Sequence, residues 1–283
     1  MTTKQQSAGS ESIQVRDVSA QEISAFGRDG VAHLPAFVDF GTCARLLRAA
    51  DARKAQPGPH SSEMAPGGTF WEERGSHLLN PDLHDFVFQS RLAEVAGKVL
   101  QTREVRFYFD HLFMLEADTA KDSYYWHQDQ PYWSCDGAQL CSFWLALTDC
   151  RVDSGALEFV LGTDRGKQYL PTPFGDEKDV SISADYEPNP PYHDLRDQYR
   201  IVSWDIRAGD AILFNARIMH SSRGNHSKTQ RRVAYSTRWI GDDMVFKSRP
   251  GYQDPVTIPD EHLADGEPLA HSKKFPLLWK RPA

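Results

Sequence analysis

The chain has 283 residues, with 32 Lys and Arg against 39 Asp and Glu and a formal net charge of −7. That length buries a sizeable core in one large domain, and an acidic balance without a basic, aromatic-laced run argues against nucleic acid as a partner. The polar opening MTTKQQSAGSESIQ has no apolar signal core, and no stretch approaches the roughly 20 apolar residues of a membrane span, so no membrane association is expected.

Residues 1–13 read as a polar leader without fixed structure. Ser19, with Glu22 three residues on, has capping-box spacing and predicts a helix over 19–28 that Gly30 ends. VAHLPAF follows as a short strand, and Ala44, Leu46, Leu47 and Ala50 place a second, amphipathic helix over Thr42 to Arg53. QPGPHSSEMAPGG reads as a loop from its Pro, Gly and Ser content, and residues 81–101 read as two short helices.

From residue 104 the texture changes. EVRFYFDHLFMLEA, AQLCSFWLALTD, ALEFVL, DAILFNARIMH and RRVAYSTRWI are strand-like runs separated by turn pairs such as Ser154-Gly155 and Gly224-Asn225. Successive short strands after early helices predict a mainly β fold, an antiparallel sandwich or barrel with flanking helices. The domain is expected to span 14–250, with the Pro-rich stretch 166–200 as an insertion suited to a lid or binding loop, and with 251–283 as a surface tail. Cys43, Cys135, Cys141 and Cys150 lack C-x-x-C spacing, so reduced thiols in a cytoplasmic protein are expected.

The chemistry centres on WHQDQPYW, residues 126–133. On a strand, His127 and Asp129 point to the same face, so an imidazole and a carboxylate can converge on one ion. Alone, a His-x-Asp pair is commonly just two polar residues near buried rings. A third ligand is available in His220, at the end of AILFNARIM, where a late antiparallel strand can return beside an early one. His226 is the rival, but it follows the turn pair Gly224-Asn225 and so belongs to a loop. Two histidines and one carboxylate on one face leave positions open for substrates, as in the facial triad of non-haem Fe(II) oxygenases. Arg231 and Arg232 then open the strand RRVAYSTRW, where a guanidinium fork facing inward can grip the far carboxylate of a dicarboxylate. Alternation lets only one of the two face the interior.

WHQD at 126–129, HSSRGNHSKTQRR at 220–232, GVAHLPAFVDFGTCARL and VDSGALEFVLGTDRG together resemble the phytanoyl-CoA dioxygenase family, over roughly residues 20–240. The resemblance implies a double-stranded β-helix, a cupin-like jelly roll. It implies Fe(II) held by His127, Asp129 and His220, with 2-oxoglutarate and O2 as co-substrates. The interval of eleven residues from His220 implies Arg231 as the co-substrate arginine, with Ser222 beside it and Trp144 near the same pocket. The implied activity is oxidation of an unactivated C–H of a small organic molecule, typically hydroxylation, with succinate and CO2 as co-products. Asp129 disfavours halogenation, because halogenating relatives carry a small residue there. Leu161-Gly162-Thr163-Asp164 and Ser154-Gly155 depart from the family's usual turns, in connecting segments only.

Tyr132 and Trp133, just past the strand, are candidate substrate contacts at the mouth of the site, whereas alternation turns Trp126 toward the core. Two other classes stay open. A cupin-like isomerase or hydrolase would use the same ligands with Zn or Mn and would not need Arg231, and a non-catalytic relative would bind a ligand without turning it over.

Overall fold

A computed structural model describes residues 13–119, 124–171, 186–249 and 254–282. The N-terminal part carries most of the helix. α1 (Ala20–Asp29) starts with the reciprocal Ser19/Glu22 capping box and ends at Gly30, whose φ of 79° is the left-handed cap that glycine adopts without strain. β1 (Val31–Leu34), α2 (Phe40–Ala55), β2 (Ser61–Ala65), β3 (Phe70–Arg74), α3 (Pro81–Phe88) and α4 (Leu92–Leu100) follow. Then come β4 (Glu104–Leu115), β5 (Tyr124–His127), β6 (Cys135–Asp136), β7 (Leu140–Ala146), β8 (Leu157–Val160) and β9 (Ile201–Val202). The chain continues through β10 (Ala211–Asn215), β11 (His220–Ser222), β12 (Arg232–Ile240), β13 (Val245–Phe246) and β14 (Leu277–Lys280).

Eight of these strands form one antiparallel sheet in the order β1-β10-β7-β12-β4-β3-β2, with β14 added to the start of β4. A smaller sheet runs β5-β11-β8-β9, and β13 pairs with β6 in a two-stranded ribbon. The strict alternation of side chains along the large sheet divides its two faces. Leu213, Phe143, Leu145, Val233, Tyr235 and Met114 bury against the helices. The intervening residues Phe214, Trp144, Ala234 and Phe113 turn to the other face and pack with Leu157 and Phe159 of the smaller sheet. Two antiparallel sheets closing over a shared interior make the jelly roll, and that interior holds the site.

Two expectations change. QPGPHSSEMAPGG is not all loop, because Ser61–Ala65 pairs with β3 as a polar edge strand, a role in which a weak intrinsic preference is overridden by a neighbour that needs a partner. The C-terminal segment is more than a surface tail. Leu269 and Phe275 are fully buried and β14 extends the large sheet. Of the 166–200 insertion, residues 166–171 and 186–200 lie within the described structure, linked by a bridge between Tyr169 and Glu187, while 172–185 lie outside the described residues, as does the leader through residue 12. Trp126 turns away from the interior, onto Tyr192, with ring centroids 5.5 Å apart.

Candidate active site

The smaller sheet places the two histidines of the candidate triad. β11 pairs with β5 so that His220 lies directly across from His127. Asp129 does not reach them by strand alternation. The strand stops at His127, and Asp129 has helical angles (φ −70°, ψ −44°) at the start of a 3-10 turn whose first residues are Gln130 and Pro131. The turn curls the carboxylate back, so that its Oδ1 lies 3.7 Å from His127 Nε2 and 3.8 Å from His220 Nε2. Ligand atoms from all three residues lie within 4.8 Å of one another. His226 is exposed and outside this group.

Each imidazole is oriented from behind. Nδ1 of His127 meets the carbonyl of Tyr125 at 2.7 Å, and Nδ1 of His220 meets that of Ile218 at 3.1 Å. These carbonyls keep the proton on Nδ1 and aim the Nε2 lone pair inward, as metal-binding histidines require. Burial pushes the His220 pKa down to about 4, helped by the charge of His127 and opposed in part by Asp129. Burial would raise that of Asp129, but the His127 hydrogen bond and the charges of His220 and Arg238 pull it down to about 2. The site therefore holds the Asp129 carboxylate and a neutral His220 imidazole near neutral pH.

The arginine that faces the cavity is Arg232, not Arg231. β12 begins at Arg232, whose side chain is 2% exposed and lines the cavity, donating from Nη1 to Ser222 Oγ and to the Gly155 carbonyl at 2.6 Å each. Its guanidinium lies over the ring of Trp144, 5.9 Å from the centroid. Arg231 precedes the strand and turns out to Asp51 of α2, at 2.8 Å. The count from His220 stops one residue short, because the intervening turn, not the interval, sets which residue enters the strand facing in. Gly155 is required for this arrangement, since it takes φ 90° and a Cβ there would lie 3.2 Å from the Arg223 carbonyl oxygen.

The far wall of the cavity was not foreseen. Glu72 and Arg74 of β3, His111 of β4, Arg238 of β12 and Asp254 of the C-terminal segment all line it. Arg74 joins Asp254 at 2.6 Å and Glu72 at 2.8 Å, and Glu72 reaches His111 at 3.3 Å. Arg238 lies against the rings of Phe109 and Trp133, 4.6 and 5.3 Å from their centroids. Tyr132 and Trp133 line the cavity as buried walls rather than as an open rim. A signal was present for part of this. The period-2 set Arg232, Ala234, Ser236, Arg238 is polar or small, against Val233, Tyr235 and Trp239 in the intervening positions.

Gln128, between two of the site's residues, points away from them. Its amide donates to the carbonyls of Lys167 (3.1 Å) and Arg217 (2.6 Å) and accepts from the Tyr169 N–H (2.8 Å). It thereby ties β5 to the start of the insertion and to the segment leading into β11.

The sequence profile of the family described as phytanoyl-CoA dioxygenase matches residues 26–233. The chain belongs to this family of Fe(II)/2-oxoglutarate-dependent oxygenases. No curated protein sequence matches it significantly. Among solved structures it is similar to SnoK, the non-haem alpha ketoglutarate dependent carbocyclase from nogalamycin biosynthesis, with TM-score 0.72 and 19% identity over 93% of this chain and 97% of SnoK. The epimerase SnoN from nogalamycin biosynthesis gives 0.69 and 22%, over 92% of this chain and 98% of its own. EctD from S. alaskensis gives 0.70 and 20%, over 88% and 86%. At these identities the likeness establishes a shared jelly-roll fold.

The residues present fit the iron that the family implies. Asp129 Oδ2 is buried without a hydrogen-bond partner among the described residues, an arrangement that is costly unless something else binds it. Two Nε2 atoms and a carboxylate converge on the same space, a donor set that suits Fe(II) with bonds of about 2.1 Å.

Proposed function

We propose that His127, Asp129 and His220 hold Fe(II), and that Arg232 with Ser222 holds the distal carboxylate of 2-oxoglutarate in an oxygenase acting on a small organic molecule. The observation that carries this is the shared interior. The triad and the buried Arg232–Ser222 pair line or adjoin one cavity, with Arg232 and the ligands on facing sheets. When bound, iron and 2-oxoglutarate supply the activation of O2 and the oxidation of a substrate C–H, leaving succinate and CO2.

The chain's own residues supply the rest. Arg232 presents a planar fork with which a carboxylate can form two parallel hydrogen bonds. Ser222 and the Gly155 carbonyl fix that fork, and Trp144 supports its face. The Tyr125 and Ile218 carbonyls hold the imidazoles in register. Burial of Arg232, Ser222, Trp144 and the two imidazoles excludes bulk water from the reacting centre.

Two similar structures carry 2-oxoglutarate or alpha ketoglutarate, one with 5-hydroxyectoine and one with nogalamycin RO, which supports a small-molecule substrate here. No helix among the described residues is long and apolar enough to cross a membrane. All four cysteines are buried thiols, and a cytoplasmic setting, which keeps thiols reduced, suits them.

The test is anaerobic titration of the protein with Fe(II) and then 2-oxoglutarate, following the visible absorbance that keto-acid chelation to iron produces. The band should appear in the wild type and be lost when any triad residue becomes Ala. A protein that binds Zn or Mn but never develops this band would favour the isomerase or hydrolase reading.

A further inference from the structure

The side of the cavity formed by the large sheet beyond Arg232 carries chemistry that neither iron nor 2-oxoglutarate uses. Six residues separate Arg232 from Arg238 on β12, so both face inward while their Cα atoms lie on the order of 20 Å apart. If Arg232 anchors the co-substrate, Arg238 belongs to the other end of the cavity. Between the two arginines, level with Ala234 and Ser236 across β4, come Glu72, Arg74 and His111, with Asp254 on Arg74 and Trp133 beside Arg238.

Resting on the function proposed above, we infer that this end of the cavity recognises a polar substrate group of zero net charge, such as a hydroxylated or amide-bearing ring, and not an acyl chain or a carboxylate. Two observations carry the inference. The first is the charge inventory. Among the described residues that line the cavity, the carboxylates are Glu72, Asp129 and Asp254 and the guanidiniums are Arg74, Arg232 and Arg238, so three of each cancel. Fe(II) and 2-oxoglutarate carry opposite charges of two and cancel as well. A substrate group with a net charge would therefore meet no net countercharge among these lining residues, most of them buried, an arrangement that is disfavoured.

The second observation is the kind of surface. Asp254, Arg74, Glu72 and His111 form a continuous chain of contacts at 2.6, 2.8 and 3.3 Å. An alkyl chain laid on that wall would strip water from charged groups and return no hydrogen bonds. A ring with hydroxyl or amide groups can satisfy donors and acceptors along the wall while stacking on Trp133 or Phe113. Glu72 and Arg238 thus act as specificity residues of opposite sign.

Four probes decide the matter by isothermal titration of the protein loaded anaerobically with Fe(II) and 2-oxoglutarate. They are 4-hydroxybenzamide (uncharged), 4-hydroxybenzoate (anionic), 4-hydroxybenzylamine (cationic) and 1-octanol (alkyl). The amide should bind the wild type about tenfold or more tightly than the other three. Glu72→Gln removes one negative charge and should shift the preference toward the benzoate, and Arg238→Met should shift it toward the benzylamine. The inference is overturned if octanol or either ion binds the wild type best, if none of the four binds, or if neither variant alters the ranking while both still bind 2-oxoglutarate. Should a variant fail to fold, the wild-type ranking decides alone. Failure of the wild type to bind 2-oxoglutarate would instead overturn the oxygenase reading, and this inference with it.

Discussion

His127 and His220 are direct cross-strand partners, with ring centroids 4.3 Å apart and with each Nδ1 held by the backbone carbonyl two residues earlier in the chain. The two imidazoles are thus fixed by the register of β5 on β11 rather than by side-chain chance. Asp129 then needs only the turn after β5 to close on them. A site built this way is preorganised, because the backbone orders it before any ion arrives.

The first expectation concerns metal. His127→Ala, Asp129→Ala and His220→Ala should each lose most Fe(II) affinity, whereas His226→Ala, outside the site and exposed, should keep it. Anaerobic iron titration of the four variants checks this. Full iron binding by His220→Ala would mean that the ion is held elsewhere.

The second concerns the two adjacent arginines. Truncating one partner of a desolvated, hydrogen-bonded charge pair costs about 2–5 kcal/mol, or roughly 30-fold and upward at 1.4 kcal/mol per tenfold. Arg232→Ala should weaken 2-oxoglutarate binding by at least that factor and leave Fe(II) binding nearly intact. Arg232→Lys should recover only part, since an ammonium cannot form the fork. Arg231→Ala removes a half-exposed pair with Asp51, and its effect on co-substrate affinity should stay within about threefold. The readout is the chelation absorbance. Equal losses in both alanine variants would show that the strand face does not discriminate between them.

These two sites show what was legible in the sequence and what was not. His127 and His220 could be paired from the order of strands, because antiparallel return is a topological regularity that hydrophobic runs reveal. The register of β12 could not be taken from a residue count, because the turn between Ser222 and Arg231 sets it, and turn geometry is local. It was present in the alternation of Arg232, Ala234, Ser236 and Arg238 against Val233, Tyr235 and Trp239. The wall of Glu72, Arg74, His111 and Asp254 was illegible for another reason. Its members come from β3, β4 and the C-terminal segment, and no local pattern marks charged residues from three distant segments as neighbours.

The third expectation follows from Gln128. Its three hydrogen bonds reach Lys167, Tyr169 and Arg217, so it braces the strand bearing His127 against the segment that leads to His220. Gln128→Leu fills similar space but leaves part-buried backbone groups unmatched, at about 1 kcal/mol. Fe(II) affinity should fall by about tenfold even though no ligand is touched, and Gln128→Asn, too short to span all three partners, should recover little of it. Iron titration alongside thermal unfolding separates the effects. Lost stability with unchanged iron affinity would make Gln128 a purely structural brace.

The last expectation concerns acid stability, and it rests on Asp110, which lies on the opposite face of β4 from His111. Asp110 is completely buried and accepts from the His77 N–H at 2.9 Å and the Tyr235 hydroxyl at 2.7 Å, with His77 Nδ1 at 2.7 Å. Burial alone would raise its pKa, but the hydrogen bonds and charge of His77, with the Tyr235 hydroxyl, more than offset that and hold it below the ordinary carboxylate value. A group whose folded pKa is depressed binds its proton more readily when unfolded. Its contribution is therefore complete above the unfolded value, about 3.9, and is lost as pH falls through the lower folded value. Asp110→Asn removes the charge and should cost about 3–5 kcal/mol at pH 7, the usual result of breaking a buried charged network. The difference between wild type and variant should hold from pH 7 down to about 4 and then shrink below it. Urea unfolding at a series of pH values measures this directly. A difference that stays constant down to the acid transition, or one that grows there, would show that Asp110 enters the folded state already protonated and that the network is held together by neutral hydrogen bonds.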